Sequence, residues 1–193
     1  MLNIDQSTQR HKSKRVAYRS PIDNRPLDLR RFIANFCIKL GGELNSKGCY
    51  LAINISPVMP RFFSGDSLVI HDLLNNIIHS TLKHLHSGGI EIQVRSEEVS
   101  ATQHKVFFVI TVSGHHEIPG AKLKTIFHSS SEQIAADCLV STRNMSIAKS
   151  ITTTLGGDIV ISSTFDAGTT YTASINLAGP IPEFQQSLGG RSV

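Results

Sequence analysis

Tryptophan is absent from the sequence, cysteine occurs only three times, and aromatic residues make up 6% of the chain. Charged residues are sparse at 18%, and no apolar run approaches the roughly 20 residues that a membrane-spanning helix needs. Cys37, Cys49 and Cys138 are odd in number and far apart, which favours neither a disulfide framework nor a zinc site. These absences predict a soluble protein of the reducing cytoplasm with no membrane span in this chain.

The chain of 193 residues is long enough to bury one substantial core, and its formal net charge is +4. Much of the positive excess lies before residue 32. Such a segment could bind nucleic acid or an acidic protein face, but it offers almost no aromatic rings for base stacking, so a solvated tail is favoured. The N-terminal residues lack a hydrophobic stretch behind their charges and therefore predict no secretory signal.

The hydrophobic pattern predicts three helices and five strands in the order α-β-α-β-β-α-β-β. The first helix is capped by Asp28 and ends at Gly41-Gly42, the second is capped by Asp66, and the third covers about residues 145–155. The strands are expected at residues 51–55, 90–94, 106–112, 158–163 and 169–177, with 106–112 covered on both faces. A long connection is expected from Gly114 to about Ser141.

This order favours an α/β fold in which a mixed sheet is covered by helices on one face. We expect residues 1–25 to form a polar linker or the tail of a preceding helical hairpin. Residues 26–178 are expected to form the folded domain, and residues 179–193 a frayed C-terminal tail.

Several segments, in this order, resemble the ATP-binding domain of bacterial histidine kinases. LGGDIVISS at residues 155–163 and AGTTYTASINL at 167–177 are similar to its last helix end and final two strands. RFFSGD at 61–66 is similar to the step into its asparagine-box helix, LDLR at 27–30 to its entry helix, and KTIF at 124–127 to its lid. The resemblance implies a two-layer α/β sandwich, with a mixed and mostly antiparallel sheet covered by three helices, as in gyrase-type and chaperone ATPases.

The resemblance also implies a nucleotide site of which only part is retained. In the asparagine box, Ser80 stands where a magnesium-binding Asn is expected. In the first glycine box, Val112 replaces the Asp that accepts a hydrogen bond from adenine, and this loss leaves the amine unpaired at a cost of roughly 1–3 kcal/mol. The positions that match the family are Asn76, Lys83, Gly114 and Thr170.

The second glycine box of the family places bare backbone amides against the phosphates at a helix N-terminus. Thr142, Arg143 and Asn144 occupy those positions, so side chains are expected where phosphate would rest. Arg143 could still attract an anion. The degenerate positions are thus Ser80, Val112, Thr142 and Asn144, and no catalytic residue is assigned.

The histidines do not supply the missing chemistry. His79, His84 and His86 are separated by offsets that do not bring them together on a helix as an i, i+4 pair would, so no metal site is predicted. His11 lacks the acidic neighbour of a phospho-accepting histidine. We therefore expect no autophosphorylation within this chain.

The favoured hypothesis is a degenerate, non-catalytic domain of two-component phosphorelay signalling that binds a sensor histidine kinase, a response regulator or a phosphotransfer domain. The alternative is an ATP-binding catalytic domain that phosphorylates a histidine on another domain or chain. No tightly held cofactor is expected, and ATP with magnesium would bind weakly at most. A homodimer stays open, nucleic acid is the least favoured partner, and the expected place is the cytoplasm, alone or as part of a larger membrane sensor.

Overall fold

The computed structural model describes residues 25–82, 85–114, 118, 123, 126–127 and 136–179, and within 136–141 only the backbone. In this part of the chain, seven strands form one sheet and three long helices accompany it. The predicted linker and C-terminal tail lie outside the described residues, apart from Arg25 and Gly179. No helix in the described ranges combines the length and apolarity needed to cross a bilayer.

The helices and strands follow one another in a regular order. They are β1 (Arg25–Asp28), α1 (Leu29–Ser46), β2 (Tyr50–Ile55), β3 (Phe62–Gly65), α2 (Ser67–Leu82), β4 (Gly89–Ser100), β5 (Gln103–Ser113), α3 (Ala136–Thr154), β6 (Ile159–Thr164) and β7 (Gly168–Ala178).

The sheet has the strand order β1-β3-β7-β5-β4-β2, and β6 pairs with β7 beside this path. Only the pairing of β2 with β4 is parallel, and the other pairings within the described ranges are antiparallel. The predicted fold class, a mixed and mostly antiparallel sheet with three helices, is confirmed.

The two central strands, β5 and β7, alternate between a buried face and a more open one. In β5 the buried side chains are His104, Val106, Phe108, Ile110 and Val112, whereas those between them are half-buried. The prediction that this strand is covered on both faces is therefore wrong. The helices cover one side of the sheet, and half-buried residues such as Phe107 and Val109 lie on the other.

Helix α1 begins where the sequence predicts, because the Oδ1 atom of Asp28 accepts a hydrogen bond from the backbone N of Arg31 at 3.0 Å. It does not end at Gly41-Gly42 as predicted but continues to Ser46. The extension buries Leu44 completely. Burial of a leucine is worth about 1.5–3 kcal/mol, which offsets the cost of about 1 kcal/mol for each glycine in a helix.

Two short strands were not predicted. β1 and β3 have four residues each and pair with one another, so that Leu27 lies opposite Phe63 in the buried layer. Four residues are too few to show a convincing alternation of apolar and polar side chains. β1 also places Arg25, which was assigned to the linker, in the sheet.

Candidate functional site

Helix α2 carries the residues that the resemblance assigns to a magnesium site. Asp66 caps the helix by accepting a hydrogen bond from the backbone N of Leu68 at 2.9 Å. Its inner face is apolar, with Leu73, Leu74 and Ile77 fully buried. Three residues after Ile77, this face places Ser80 against the sheet, where its side chain is 6% exposed.

The space next to Ser80 is occupied by a tyrosine of the sheet. Tyr171 on β7 is 1% exposed, and its hydroxyl is hydrogen-bonded to Ser80. The Oγ atom of Ser80 also donates to the backbone O of Ile77 at 2.6 Å. Burial raises the pKa of Tyr171 to about 12, although the hydrogen bond to Ser80 partly opposes this shift. The two hydroxyls thus satisfy each other in a closed part of the core.

Asn76 lies one helical turn before Ser80 and is half-buried. Its Nδ2 atom donates to the backbone O of Asp72 at 2.7 Å, within the same helix. Its neighbour Asn75 instead contacts His71, with Nδ2 and Nδ1 3.0 Å apart. Lys83, the other family position predicted on this helix, lies outside the described residues.

The end of β5 carries Val112 where the resemblance expects an aspartate. Val112 is fully buried and is the ladder partner of Thr169 on β7. The Oγ1 atom of Thr169, also fully buried, lies 2.7 Å from the Oγ atom of Ser163. Ser163 in turn accepts a hydrogen bond from the backbone N of Ile118 at 2.9 Å. This corner therefore holds methyl groups and hydroxyls that are already hydrogen-bonded within the protein.

Gly114 has a structural role in the turn after β5. Its φ angle is +78°, a conformation that favours glycine. A Cβ atom at this position would lie 2.1 Å from the backbone O of Ser87, because the two loops touch through their backbones. The Oγ atom of Ser87 also donates to the backbone O of Gly114 at 3.2 Å. Close packing of the protein against itself explains this glycine without a bound nucleotide.

Thr170 lies on the opposite face of β7 from the helices. It is half-buried, and its Oγ1 atom lies 3.1 Å from that of Thr111 on β5. The structure therefore does not bring Thr170 together with Asn76. Its neighbours Thr169 and Tyr171 face the helices instead, and the alternation of buried positions along β7 is the sequence signal that distinguishes them.

Helix α3 runs through the positions that the resemblance assigns to phosphate binding. It begins at Ala136, so the predicted long connection to about Ser141 is too long by more than one helical turn. Thr142 is buried and Asn144 half-buried within the helix, not at its first turn. Backbone N–H groups beyond the first four of a helix are bonded to the preceding turn. The amides at 142–144 are therefore committed to the helix.

Lys149 on α3 connects the helix to the segment that resembles a lid. Its Nζ atom forms an ion pair with Asp158 and lies 5.5 Å from the centre of the Phe127 ring. The hydrogen bond from Lys149 lowers the pKa of Asp158. The neighbouring Ile126 belongs to the core. The described end of the lid is thus fastened to the sandwich by an apolar and a charged contact.

Comparison with known proteins agrees with this architecture. A sequence model of the family described as histidine kinase-, DNA gyrase B- and HSP90-like ATPases matches residues 65–179, more than half of the chain. Signal transduction histidine-protein kinase BarA of Escherichia coli (strain K12) is 26% identical over 171 residues, which are 86% of this chain and 18% of BarA. Hybrid signal transduction histidine kinase B of Dictyostelium discoideum is 28% identical over 136 residues, 69% of this chain and 7% of that protein. The chain therefore spans less than a fifth of these relatives.

Solved structures share the fold at low sequence identity. Full-length ShkA in complex with AMPPNP superposes with a TM-score of 0.65 at 14% identity, covering 83% of this chain and 32% of ShkA. The mycobacterial sensor histidine kinase MprB gives a TM-score of 0.56 at 14% identity, covering 82% of this chain and 99% of that structure. These likenesses establish the architecture.

Proposed function

The chain belongs to the family of histidine kinase-, DNA gyrase B- and HSP90-like ATPases, and we propose that within two-component signalling it acts as a non-catalytic, protein-binding module. The histidine kinases among its relatives support the signalling context. The loss of ATP use is our inference from the residues at the expected nucleotide site.

The observation that carries the proposal is the hydrogen bond between Tyr171 and Ser80. A magnesium ion at this place needs oxygen ligands with free lone pairs and room for several waters. The serine is nearly enclosed, and the tyrosine ring occupies the space beside it. A metal ion could enter only if this part of the core opened.

Two further features support the same conclusion. Val112 offers no acceptor to the adenine amine, and the adjacent hydroxyl of Thr169 is already bonded to Ser163. The amides at 142–144 belong to the interior of α3 and are not available to phosphate oxygens. Adenine, metal and phosphate would each lose a principal contact.

The module would act by contact with a sensor histidine kinase, a response regulator or a phosphotransfer domain, or with a second copy of itself. A domain that shares the kinase scaffold can occupy the same surfaces on such partners without transferring phosphate. We place this activity in the cytoplasm, whether the chain acts alone or as part of a larger sensor.

A direct test is capture of partners by the full chain from extracts of its host, with and without ATP and magnesium. Purified partners are then titrated by biolayer interferometry. We expect a two-component protein whose dissociation constant is the same with and without nucleotide. Transfer of label from radioactive ATP to a histidine of the captured protein would contradict the proposal.

The alternative is an ATP-binding catalytic domain that phosphorylates a histidine elsewhere. The observation in its favour is Asn76, which keeps the family position on α2. Restoring the other contacts with Val112→Asp, Ser80→Asn and Tyr171→Phe tests how far the site has closed. If the scaffold still has room, the triple variant binds magnesium-ATP more tightly than the natural sequence. Equal binding by the two proteins, at micromolar strength, would favour the alternative.

A further inference from the structure

A groove of about 520 Å³ lies at the end of the sheet that is remote from Gly114, beside the hairpin between β4 and β5. This volume is in the range of sites for small ligands. The groove is separated from the Gly114 end of β5 by the length of the strand, roughly 30 Å. Its lining residues are Val58, Pro60, Ser96, Glu98, Ala101 and His104.

One of these lining residues has an unmet hydrogen bond. His104 is 7% exposed, and its ring packs edge to face against Phe63 with 5.7 Å between centroids. Its Nδ1 atom is enclosed and has no hydrogen-bond partner in the described part of the chain. Buried polar atoms are nearly always paired. An unpaired ring nitrogen at a groove is therefore a candidate contact for a ligand.

A carboxylate lies directly across the ladder from this histidine. Glu98 on β4 is the Cα partner of His104 on β5, and Ser96 lies two residues earlier on the same face. An imidazole, a carboxylate and a hydroxyl thus line one groove. None of the six lining residues is a lysine or an arginine, so Glu98 gives the groove a negative charge.

The opposite wall is apolar and is held in place. The Nη2 atom of Arg30 donates to the backbone O atoms of Ser56, Pro57 and Met59 at 2.7, 3.0 and 2.7 Å. These bonds fix the loop that carries the two apolar lining residues. One of them, Val58, is 86% exposed. A fixed wall lowers the entropy cost of binding.

From this arrangement we propose that the groove binds an alkyl cation, with an ammonium or guanidinium head between Glu98 and His104 and an aliphatic stem against Val58 and Pro60. The head donates hydrogen bonds to the carboxylate and to the unpaired ring nitrogen. The stem covers the apolar wall, as the methylene chains of lysine and arginine do elsewhere. The same chemistry is offered by a basic side chain of a partner protein and by a free amine. This site is independent of the nucleotide question.

The test is a titration of the full, isotope-labelled chain with butylguanidinium, followed by NMR, with butyrate as the anionic counterpart. We expect saturable shifts at His104 and Ser96 with the cation and none with butyrate. Glu98→Gln should weaken binding about tenfold or more, because it removes a charge-assisted hydrogen bond. Glu97→Gln is the matched control, since Glu97 points to the other face and pairs with Arg95. It should leave binding unchanged.

Equal losses in Glu97→Gln and Glu98→Gln, or shifts that do not saturate, would overturn the proposal, as would binding of butyrate at the same place. A blocked tripeptide with a central arginine distinguishes the two sources of the cation. Tighter binding of the peptide than of butylguanidinium indicates a protein partner, and weaker binding indicates a free amine. Either result upholds a cation site.

Discussion

The hydroxyl of Tyr171 on β7 is hydrogen-bonded to Ser80 on α2, and both side chains are almost completely enclosed. This pair joins the central strand to the helix at the place where the family resemblance predicts a metal ligand. A contact that binds metal in one protein can thus be replaced by a contact that holds the core together. The same two residues give the most specific tests of the structure.

The first prediction is that Ser80 and Tyr171 are energetically coupled. Tyr171→Phe should lower the free energy of unfolding by about 1 kcal/mol, because it removes one buried hydrogen bond. Ser80→Asn should lower it by about 1–3 kcal/mol, because a larger side chain must fit beside the tyrosine. In the Tyr171→Phe background this second penalty should shrink. Urea unfolding of the double-mutant cycle measures the coupling, and strictly additive effects would contradict the contact.

The second prediction concerns alkaline pH. Because burial raises the pKa of Tyr171 to about 12 from an ordinary value of 10.0, the unfolded chain releases this proton first as pH rises. Folding stability is therefore retained below pH 10 and lost between about pH 10 and 12. Relative to Tyr171→Phe, the natural protein should lose about 1.4 kcal/mol by pH 11. Urea unfolding of both proteins at pH 8 and 11 measures this, and a constant difference would contradict an enclosed tyrosine.

The third prediction is that Gly114 is required for folding irrespective of nucleotide. Gly114→Ala should lower the free energy of unfolding by about 2 kcal/mol or more, through a strained φ angle and a clash with Ser87. The control is Gly42→Ala in α1, where an added Cβ meets nothing within 4 Å. That change should stabilise the helix by up to about 1 kcal/mol. Thermal unfolding compares them, and a harmless Gly114→Ala would contradict the loop packing.

The fourth prediction concerns the start of α3. If the helix runs through residues 142–144, the amides of Thr142, Arg143 and Asn144 should exchange with deuterium as slowly as those of residues 146–150. Hydrogen exchange read by NMR at single-residue resolution makes the comparison. Fast exchange confined to 142–144 would show a loop there, with amides free to meet an anion.

Much of the fold follows from the sequence because its long elements are strongly patterned. The Asp28 and Asp66 caps, the apolar face of α2 and the alternation of β7 each predict an element that the structure contains. The failures have physical causes. Gly41-Gly42 looked like a stop, yet burial of Leu44 outweighs it, and β1 and β3 are too short to show a period.

The candidate site is less predictable than the fold. The resemblance identifies positions along the chain, but the face on which each side chain lies depends on register. It selected Thr170, which lies on the open side of β7, while Thr169 and Tyr171 face the helices. Nor could spacing show that the position of Ser80 is filled from the sheet, because that contact joins residues 91 apart in the sequence.

The most direct test of the account is isothermal titration of the full chain with ATP and magnesium. We predict no saturable heat at nucleotide concentrations up to about a millimolar, because adenine, metal and phosphate each lose a contact worth roughly 1–3 kcal/mol. Saturable binding with a micromolar dissociation constant that depends on magnesium would contradict it.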